Sequence, residues 1–377
     1  MTTGTEHEFS INDCRFNPLP VSDEIIRTIC GRYDSEILFG DVKLGKELQK
    51  TVLEIIPRSP AEDLCVLEAY LMGGIRKFFR VFPDQYQLLG LGMHPLLMLE
   101  QTAVWDHDEG EYYDVYDRLF NLRQHGWLNI QALQINLSYK NSKDLISQYN
   151  RLRCLIPYLV AITASSPFVE GRLTGSMDNR LLYYRVNQKE MPHICNGIVP
   201  EAIQSVRDYR ASQEEIFTAL REHDAGILCE EWLNSSGLII RFSRKCLEIK
   251  ALDEQECIHS DMAVCAFVRS LLRCRKLPVE TDQDALLALM ELAIQNGTSG
   301  LGPELEILYN EAWKHATDDE RQYLPVIRHR IQRGSLAELM RDRYHKNPAL
   351  LPILSDMAAC LKNNQPYATR LTDTLQQ

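Results

Sequence analysis

The chain has 377 residues, and its 52 acidic against 41 basic side chains give it a net charge of −11. Apolar residues make up 45% and charged residues 25%, which excludes a disordered chain and allows one large domain or two. The acidic balance, with no run of Lys and Arg longer than two residues, argues against nucleic acid as a partner.

The sequence also predicts a cytoplasmic protein without a membrane partner. No apolar run approaches the roughly 18 residues that span a bilayer. The first ten residues, MTTGTEHEFS, lack the basic and apolar segments of a signal peptide. The 11 cysteines are scattered without a CxxC pair, and most lie among apolar residues, which is typical of buried, reduced thiols.

Hydrophobic periodicity predicts mixed strands and helices up to about residue 275, and helices alone beyond it. In chain order, strands are predicted over 4–11 and 50–56, a helix over 60–82, a strand over 131–138, helices over 142–164 and 200–222, a strand over 245–251, and helices over 260–275, 283–296, 303–316 and 318–345. The residues Ser59-Pro60-Ala61-Glu62 form a capping-box pattern at the start of the first helix.

The four predicted strands share an unusual property, which is that each places its polar residues on one face. These positions are Glu6, Glu8 and Ser10, then Glu54, then Gln134, Asn136 and Ser138, and finally Glu248 and Lys250. An antiparallel sheet with one solvated face gives the same alternation and is its commoner cause. A solvated face usually carries mixed charges, however, whereas this face is dominated by glutamate.

A metal-binding face is the alternative explanation of this pattern. If the four strands share a sheet, at least four carboxylates crowd one surface and repel one another unless cations lie between them. Oxygen ligands without a cysteine cluster favour Mg²⁺ or Mn²⁺ over Zn²⁺. From the pattern alone, the solvated face and the metal-binding face both stay open.

Four motifs resemble those of glutamate–cysteine ligases and the related carboxylate–amine ligases, and they occur in that family's order. They are GTEHEF at 4–9, GMHP at 92–95, AITASSPF at 161–168 with GRLTG at 171–175 and DNR at 178–180, and RFSRKCLEIKALD at 241–253. Each motif is short, but four in order are fairly specific, and they cover residues 4 to about 260. Beyond residue 275 the chain shows helices without a match.

The resemblance implies an α+β, glutamine-synthetase-like fold, with a curved, mainly antiparallel sheet, a polar concave face and helices on its back. Residues 1–275 would form the catalytic domain, and residues 276–377 a helical region packed on it or continuous with it. The implied activity is ATP-dependent joining of a carboxylate, first of all the γ-carboxylate of glutamate, to an amine such as cysteine, with release of ADP and phosphate. Transfer of phosphate to a guanidino or amine group, and a non-catalytic nucleotide-binding module, are the alternatives on the same fold.

The resemblance also implies roles for individual residues, with ATP as substrate and Mg²⁺ or Mn²⁺ as the metal. Expected metal ligands are Glu6, Glu8, Glu54, Glu248 and Asn136; expected catalytic residues are Lys250, Arg244 and Arg241; expected substrate-binding residues are Arg180, Arg172, Arg185, Tyr183 and Gln134. The family usually carries His where Asn136 stands and Arg where Lys250 stands. These departures leave the amine open: small amino acids are the expected partners, a peptide is a further candidate, and a homo-oligomer is allowed.

Overall fold

The protein is built around one open antiparallel sheet. The computed structural model describes residues 1–108, 110–195 and 197–367. The strands of the sheet are β1 (Thr3–Asn12), β2 (Glu36–Phe39), β3 (Val42–Lys46), β4 (Val52–Pro57), β5 (Gln87–Leu89), β6 (Ala132–Ser138), β9 (Leu238–Arg241) and β10 (Cys246–Asp253), and β7 (Phe168–Val169) pairs with β8 (Arg172–Leu173) apart from it. The strand order is β2-β3-β4-β1-β6-β10-β9, and β5 pairs with the end of β1.

The four predicted strands are neighbours in this sheet, as β4, β1, β6 and β10. Glu8 lies opposite Glu54, and Glu6 lies opposite Gln134. Because residues directly opposite each other share a face, the polar positions of all four strands project to the same side. The shared polar face predicted from the sequence is therefore confirmed.

Fourteen helices occur in the part of the chain that the structure describes. They are α1 (Ser22–Cys30), α2 (Leu64–Val81), α3 (Gly110–Phe120), α4 (His125–Leu128), α5 (Ser142–Thr163), α6 (Asn179–Tyr184), α7 (Val206–Glu222), α8 (Ile258–Arg273), α9 (Gln283–Asn296), α10 (Gly302–His315), α11 (Asp318–Arg321), α12 (Leu324–Arg333), α13 (Leu336–Lys346) and α14 (Leu350–Asn363). Each predicted helix has a counterpart in this set.

Three predicted helix boundaries are wrong. Helix α7 begins at Val206 and not at residue 200, because the side chain of Ser205 caps it by accepting a hydrogen bond from the backbone N–H of Asp208. Helix α2 begins at Leu64, where the side chain of Asp63 accepts a hydrogen bond from the backbone N–H of Cys65. Residues 59–62 cannot belong to it, because Ala61 pairs with Thr3 through backbone hydrogen bonds. The single helix predicted over 318–345 is three helices, since Gly334 ends α12 with a φ of 111° that most residues avoid.

The main hydrophobic core lies between the apolar face of the sheet and the helices on its back. Phe9, Ile55, Ile135 and Ile249 are fully buried on that face. They share one apolar cluster with side chains of α2, α5 and α8, and side chains of α9, α10 and α12 join the same cluster. The α+β class, with helices behind an antiparallel sheet, is confirmed, and the division at residue 275 stays a prediction.

Two further sequence predictions concern cysteines and membranes. The ten cysteines whose side chains the structure describes are free thiols, and six of them are buried, as predicted. Among the described helices, none has both the length and the apolar character that a membrane crossing requires.

Candidate active site

A cavity of about 530 Å³ opens on the polar face of the sheet. Its floor carries the carboxylates of β1, β4 and β10 together with Gln134 of β6. The opposite wall is largely aromatic and is formed by Tyr112, Tyr113, Tyr116, Trp127, Tyr184 and Trp232. The cavity therefore combines a charged floor with aromatic ring surfaces.

The floor carboxylates are buried. Glu6 is 8% exposed, Glu8 5%, Glu54 8% and Glu248 1%. A solvated face would leave such side chains in water, so the solvated-face explanation of the alternating pattern is wrong. Burying four carboxylates in one cavity is costly unless positive charge compensates them.

Burial and mutual repulsion shift the titration of these groups. Burial raises the pKa of Glu8 to about 7, against the hydrogen bonds from Ala132 and Gln134 that stabilise its charge. Burial also raises the pKa of Glu54 well above its usual range, and the charge of neighbouring Glu6 adds to the effect. The pKa of Glu248 is raised for the same two reasons. Such a set is energetically suited to hold a divalent cation, which would favour all the charged forms together.

A fifth carboxylate, Glu47, belongs to this set and was missed by sequence reasoning. It follows directly after β3 and lines the cavity. Burial raises its pKa to about 8, and the charges of Glu8 and Glu6 act in the same direction. The strand before Glu47 is only five residues long and was not predicted, so sequence reasoning did not place Glu47 on the polar face.

Two arginines neutralise the outer end of the floor. Nη1 of Arg244 lies 2.6 Å from Oε1 of Glu6, and Nη1 of Arg241 lies 2.6 Å from Oε2 of Glu248. Arg244 comes from the turn between β9 and β10, and Arg241 ends β9. Both arginines that were predicted as catalytic therefore line the cavity beside predicted metal ligands.

The two amide side chains of β6 hold the carboxylates of β1 in place. Nε2 of Gln134 donates to Glu8 at 3.0 Å, and Nδ2 of Asn136 donates to Glu6 at 3.1 Å. Oδ1 of Asn136 accepts a hydrogen bond from Sγ of Cys246 at 3.2 Å. Asn136 thus lies next to a predicted metal ligand and orients it, while its own metal coordination stays a prediction.

Lys250 also reaches the cavity, and its ammonium donates to the carbonyl oxygen of Trp232 at 3.1 Å. The pairing of β10 with β6 shifts between Ile249 and Leu252, so Lys250 and Ala251 together lie opposite one residue of β6. Such a bulge turns a side chain out of the regular alternation and is frequent beside active sites.

Gly45 creates the space that the carboxylate of Glu54 occupies. The two residues are direct partners across β3 and β4. A Cβ atom at position 45 would lie only 2.6 Å from Oε2 of Glu54, although the backbone there suits any residue. Gly45 leaves room for the carboxylate of Glu54, and the buried glutamate oxygens of the floor are the type of ligand that Mg²⁺ or Mn²⁺ prefers, as the sequence implies.

Gly45→Ala is expected to weaken divalent-metal binding about tenfold or more, because the new methyl group displaces the carboxylate of Glu54. The measurement is the Mg²⁺ concentration that gives half of the metal-dependent rise in melting temperature. Gly73→Ala is the matched control, since a Cβ atom at that exposed position of α2 meets nothing within 4 Å. Equal Mg²⁺ dependence of the two variants would contradict the assignment.

The structure places Arg180 at the buried end of the polar face. Its guanidinium is 2% exposed, and Nε lies 2.6 Å from Oδ1 of Asp253. Its positive charge lowers the pKa of Glu8, against the larger effect of burial. Nη2 of Arg180 has no hydrogen-bond partner within the described residues. A substrate contact through this nitrogen stays a prediction.

Among the described residues, Arg180 does not line the cavity, and three further predicted substrate ligands do not reach it either. Arg172 is exposed on β8, and the side chain of Arg185 pairs with Glu291. The ring of Tyr183 packs at 5.5 Å from that of His125. Within the described part of the chain, neither arginine nor this tyrosine lines the cavity, although Gln134 does.

Comparison with known proteins identifies the family of this chain. The chain belongs to the glutamate–cysteine ligase family 2 (GCS2), whose pattern matches residues 2–298. The chain is 46% identical over 368 residues to an uncharacterized protein of Archaeoglobus fulgidus, covering 97% of this chain and 99% of the relative. It is 26% identical over 227 residues to the glutamate–cysteine ligase of Halobacterium salinarum, covering 57% of this chain and 55% of that protein.

Solved structures of ligases share the fold. A bifunctional glutathione synthetase from Pasteurella multocida matches with a TM-score of 0.65 at 14% identity, covering 96% of this chain and 52% of that one. Glutamate–cysteine ligase from Francisella tularensis, in complex with AMP, matches with a TM-score of 0.57 at 12% identity, covering 96% and 89%. PafA, in complex with the prokaryotic ubiquitin-like protein Pup that it ligates, matches with a TM-score of 0.55 at 11% identity, covering 95% and 72%. The chain therefore spans about half the length of the Halobacterium and Pasteurella proteins.

Proposed function

We propose that this protein is an ATP-dependent ligase that phosphorylates a carboxylate, first of all the γ-carboxylate of glutamate, and joins it to an amine. The observation that carries the proposal is the cavity lining, which brings together glutamates, arginines and lysines, among them Glu6, Glu8, Glu47, Glu54, Glu248, Arg241, Arg244 and Lys250. Membership of the glutamate–cysteine ligase family supports it.

The proposed reaction has two steps because a carboxylate does not react with an amine at neutral pH. First, a carboxylate oxygen forms a bond to the γ-phosphorus of ATP, and the bond to the bridging oxygen of ADP breaks. The amine nitrogen then bonds to the acyl carbon, phosphate leaves with the electrons of the C–O bond, and the nitrogen loses a proton. Both steps depend mainly on positioning and on stabilisation of negative charge.

The floor residues supply these two requirements. Mg²⁺ or Mn²⁺ held by the carboxylates Glu6, Glu8, Glu47, Glu54 and Glu248 would neutralise the phosphates. Arg241 and Arg244 carry guanidinium groups at the outer end of the floor, held there by their carboxylate partners. Each can bind a phosphate oxygen pair through the planar fork of its donors. Lys250 places an ammonium on the same floor, within the charged cavity.

A groove of about 350 Å³ next to Glu6 suits the base of the nucleotide. It shares Glu6 and Arg244 with the main cavity. Its other walls are formed largely by Gly4, Ile56, Pro57, Pro60 and Cys246. A flat aromatic base fits such small and apolar surfaces, and its phosphates would then point toward the arginines and the carboxylates.

The carboxylate and amine substrates would occupy the end of the cavity under the aromatic wall. Small amino acids are the first candidates, and cysteine is the amine that the family suggests. A peptide is the second, because PafA acts on the protein Pup within the same fold. We place the reaction in the cytoplasm, in keeping with the free thiols of the described cysteines, and a homo-oligomer stays a prediction.

The test is an assay of ADP and phosphate release with ATP, Mg²⁺ and panels of carboxylates and amines, with mass spectrometry of the products. An amide formed together with ADP and phosphate is the expected result. A phosphorylated amine without an amide would favour the phosphotransferase alternative instead. Nucleotide binding without turnover across the whole panel would contradict the proposal and favour a non-catalytic module.

A further inference from the structure

A buried polar network surrounds Asp253 at the inner end of β10. Asp253 is fully buried, and its Oδ2 accepts hydrogen bonds from the backbone N–H of Ser165 at 2.9 Å and from Oγ of Ser166 at 2.8 Å. Its Oδ1 accepts from Nε of Arg180 at 2.6 Å. Oγ of Ser165 also donates to Oδ2 at 3.4 Å, so the carboxylate gathers four donors from two segments that are distant from it in sequence.

Gly92 closes the network from a third segment. Its backbone N–H donates to Oγ of Ser165 at 2.7 Å. A Cβ atom at position 92 would lie 2.1 to 2.3 Å from the carboxylate atoms of Asp253, so no larger residue fits without displacing that group. The GMHP turn, the AITASSPF segment with its DNR continuation, and the end of the RFSRKCLEIKALD strand thus meet at one carboxylate.

The same network reaches the backbone of Lys250. The bulge leaves Lys250 and Ala251 sharing one partner on β6, while the N–H of Lys250 continues the pairing with β9 and donates to the carbonyl of Gly237 at 2.9 Å. Its carbonyl oxygen accepts a long hydrogen bond of 3.4 Å from Nη1 of Arg180. Arg180 therefore links the carboxylate of Asp253 to the peptide that carries the cavity lysine.

We propose that Arg180 and Asp253 are positioning residues that fix the bulge and so aim the ammonium of Lys250 into the cavity. The catalytic part of this inference, in which Lys250 acts in the chemical step, rests on the proposed function. The structural part, in which the pair fixes the bulge, does not. The guanidinium is required because Nε and Nη1 must serve two acceptors at once, and the single ammonium of lysine does not reproduce that fork. The pair therefore acts on catalysis through the position of Lys250.

Arg180→Lys and Asp253→Asn test this role by enzyme kinetics. Each variant is expected to lower kcat about 10²-fold, since a misplaced catalytic group carries a cost of that size, while KM for ATP and for the carboxylate change less than about threefold. A rise in KM for the carboxylate with kcat preserved would instead make Arg180 a substrate ligand, and it would overturn the positioning role.

Amide hydrogen exchange of the peptide 246–253 gives a second measurement that does not depend on activity. Faster exchange of this peptide is expected in both variants, because the bulge loses one of its anchors. If the wild type shows no turnover but the variants show this change, the proposed function fails and the positioning role stands. If the wild type is active and both variants keep wild-type kcat and exchange, the positioning role fails and the function stands.

Arg330→Lys is the matched control for a loss of stability alone. Nη2 of Arg330 pairs with Glu256 at 2.6 Å, and both side chains are as buried as those of Arg180 and Asp253. Arg330→Lys is expected to lower the melting temperature about as much as Arg180→Lys and Asp253→Asn do, without changing kcat or the amide exchange of peptide 246–253. A control variant that lost kcat in proportion to its stability would show that the effect is not specific, and it would contradict the inference.

Discussion

Glu54→Gln is expected to abolish nucleotide turnover and to raise the melting temperature of the metal-free protein. Burial and the neighbouring charges of Glu6, Glu47 and Glu8 hold its pKa well above the usual range. Replacing the carboxylate by an amide removes this repulsion, and each kcal/mol relieved raises the melting temperature by roughly 2 °C. The same change removes a metal ligand, so turnover is lost although the protein is more stable.

ADP formation at saturating Mg²⁺ and the melting temperature in EDTA measure the two effects on one variant. Glu36→Gln is the control, because Glu36 lines the same cavity but lies at its exposed edge, paired with Lys43 at 2.8 Å. It is expected to change neither quantity strongly. Full activity of Glu54→Gln would remove β4 from the metal site, and a lower melting temperature in EDTA would show that the carboxylate is stabilising without metal.

The polar face could be predicted from sequence because period-two alternation survives in the fold. In β1, β4, β6 and the first part of β10, every second residue projects to the polar face, and their neighbours across the sheet are in register. A one-residue slip would send the carboxylates into the apolar core, so burial of the other face fixes the register strongly. Alternation and the burial of the opposite face therefore made most residues of the candidate site predictable from the sequence.

The rest of the floor depends on features that alternation does not contain. Glu47 lies in an irregular segment just after the short hairpin of β2 and β3, which were not predicted. The bulge at Lys250 and Ala251 depends on Gly237, where a Cβ atom would lie 2.9 Å from Ala251 and from Ile198. Such steric requirements arise from segments far apart in sequence and are visible only once the chain is folded.

The arginines show a different limit of sequence reasoning. Arg172, Arg180 and Arg185 were predicted together because guanidinium groups bind a carboxylate bidentately, but proximity in sequence does not tell which side chain enters a cavity. Only Arg180 reaches the polar face, where Asp253 holds it. The aromatic wall was missed for a related reason: Tyr112 and Tyr116 lie on an amphipathic helix, whose rings are typical of packing against a core.

Lys250→Met is expected to lower kcat about 10²-fold or more while nucleotide affinity changes little. An ammonium on the cavity floor is most useful where negative charge is shared between attacking and leaving oxygens, so its loss appears in the chemical step. Lys250→Arg is expected to keep much of the activity, because arginine is the residue that the family pattern has at this position. Lys43→Met is the control, since Lys43 is an ion-paired lysine of β3 outside the cavity lining.

The competing explanation is that Lys250 only neutralises Glu248, and the contacts around the two residues argue against it. The direct partner of Glu248 is Arg241 at 2.6 Å, whereas the ammonium of Lys250 donates to the carbonyl of Trp232 at 3.1 Å. If neutralisation were the role, Lys250→Met would lower stability or metal affinity and leave kcat intact at saturating Mg²⁺. These two explanations are distinguished by measuring the melting temperature, the nucleotide Kd and kcat of Lys250→Met and Lys250→Arg. Only a role in the chemical step lowers kcat in Lys250→Met and largely preserves it in Lys250→Arg.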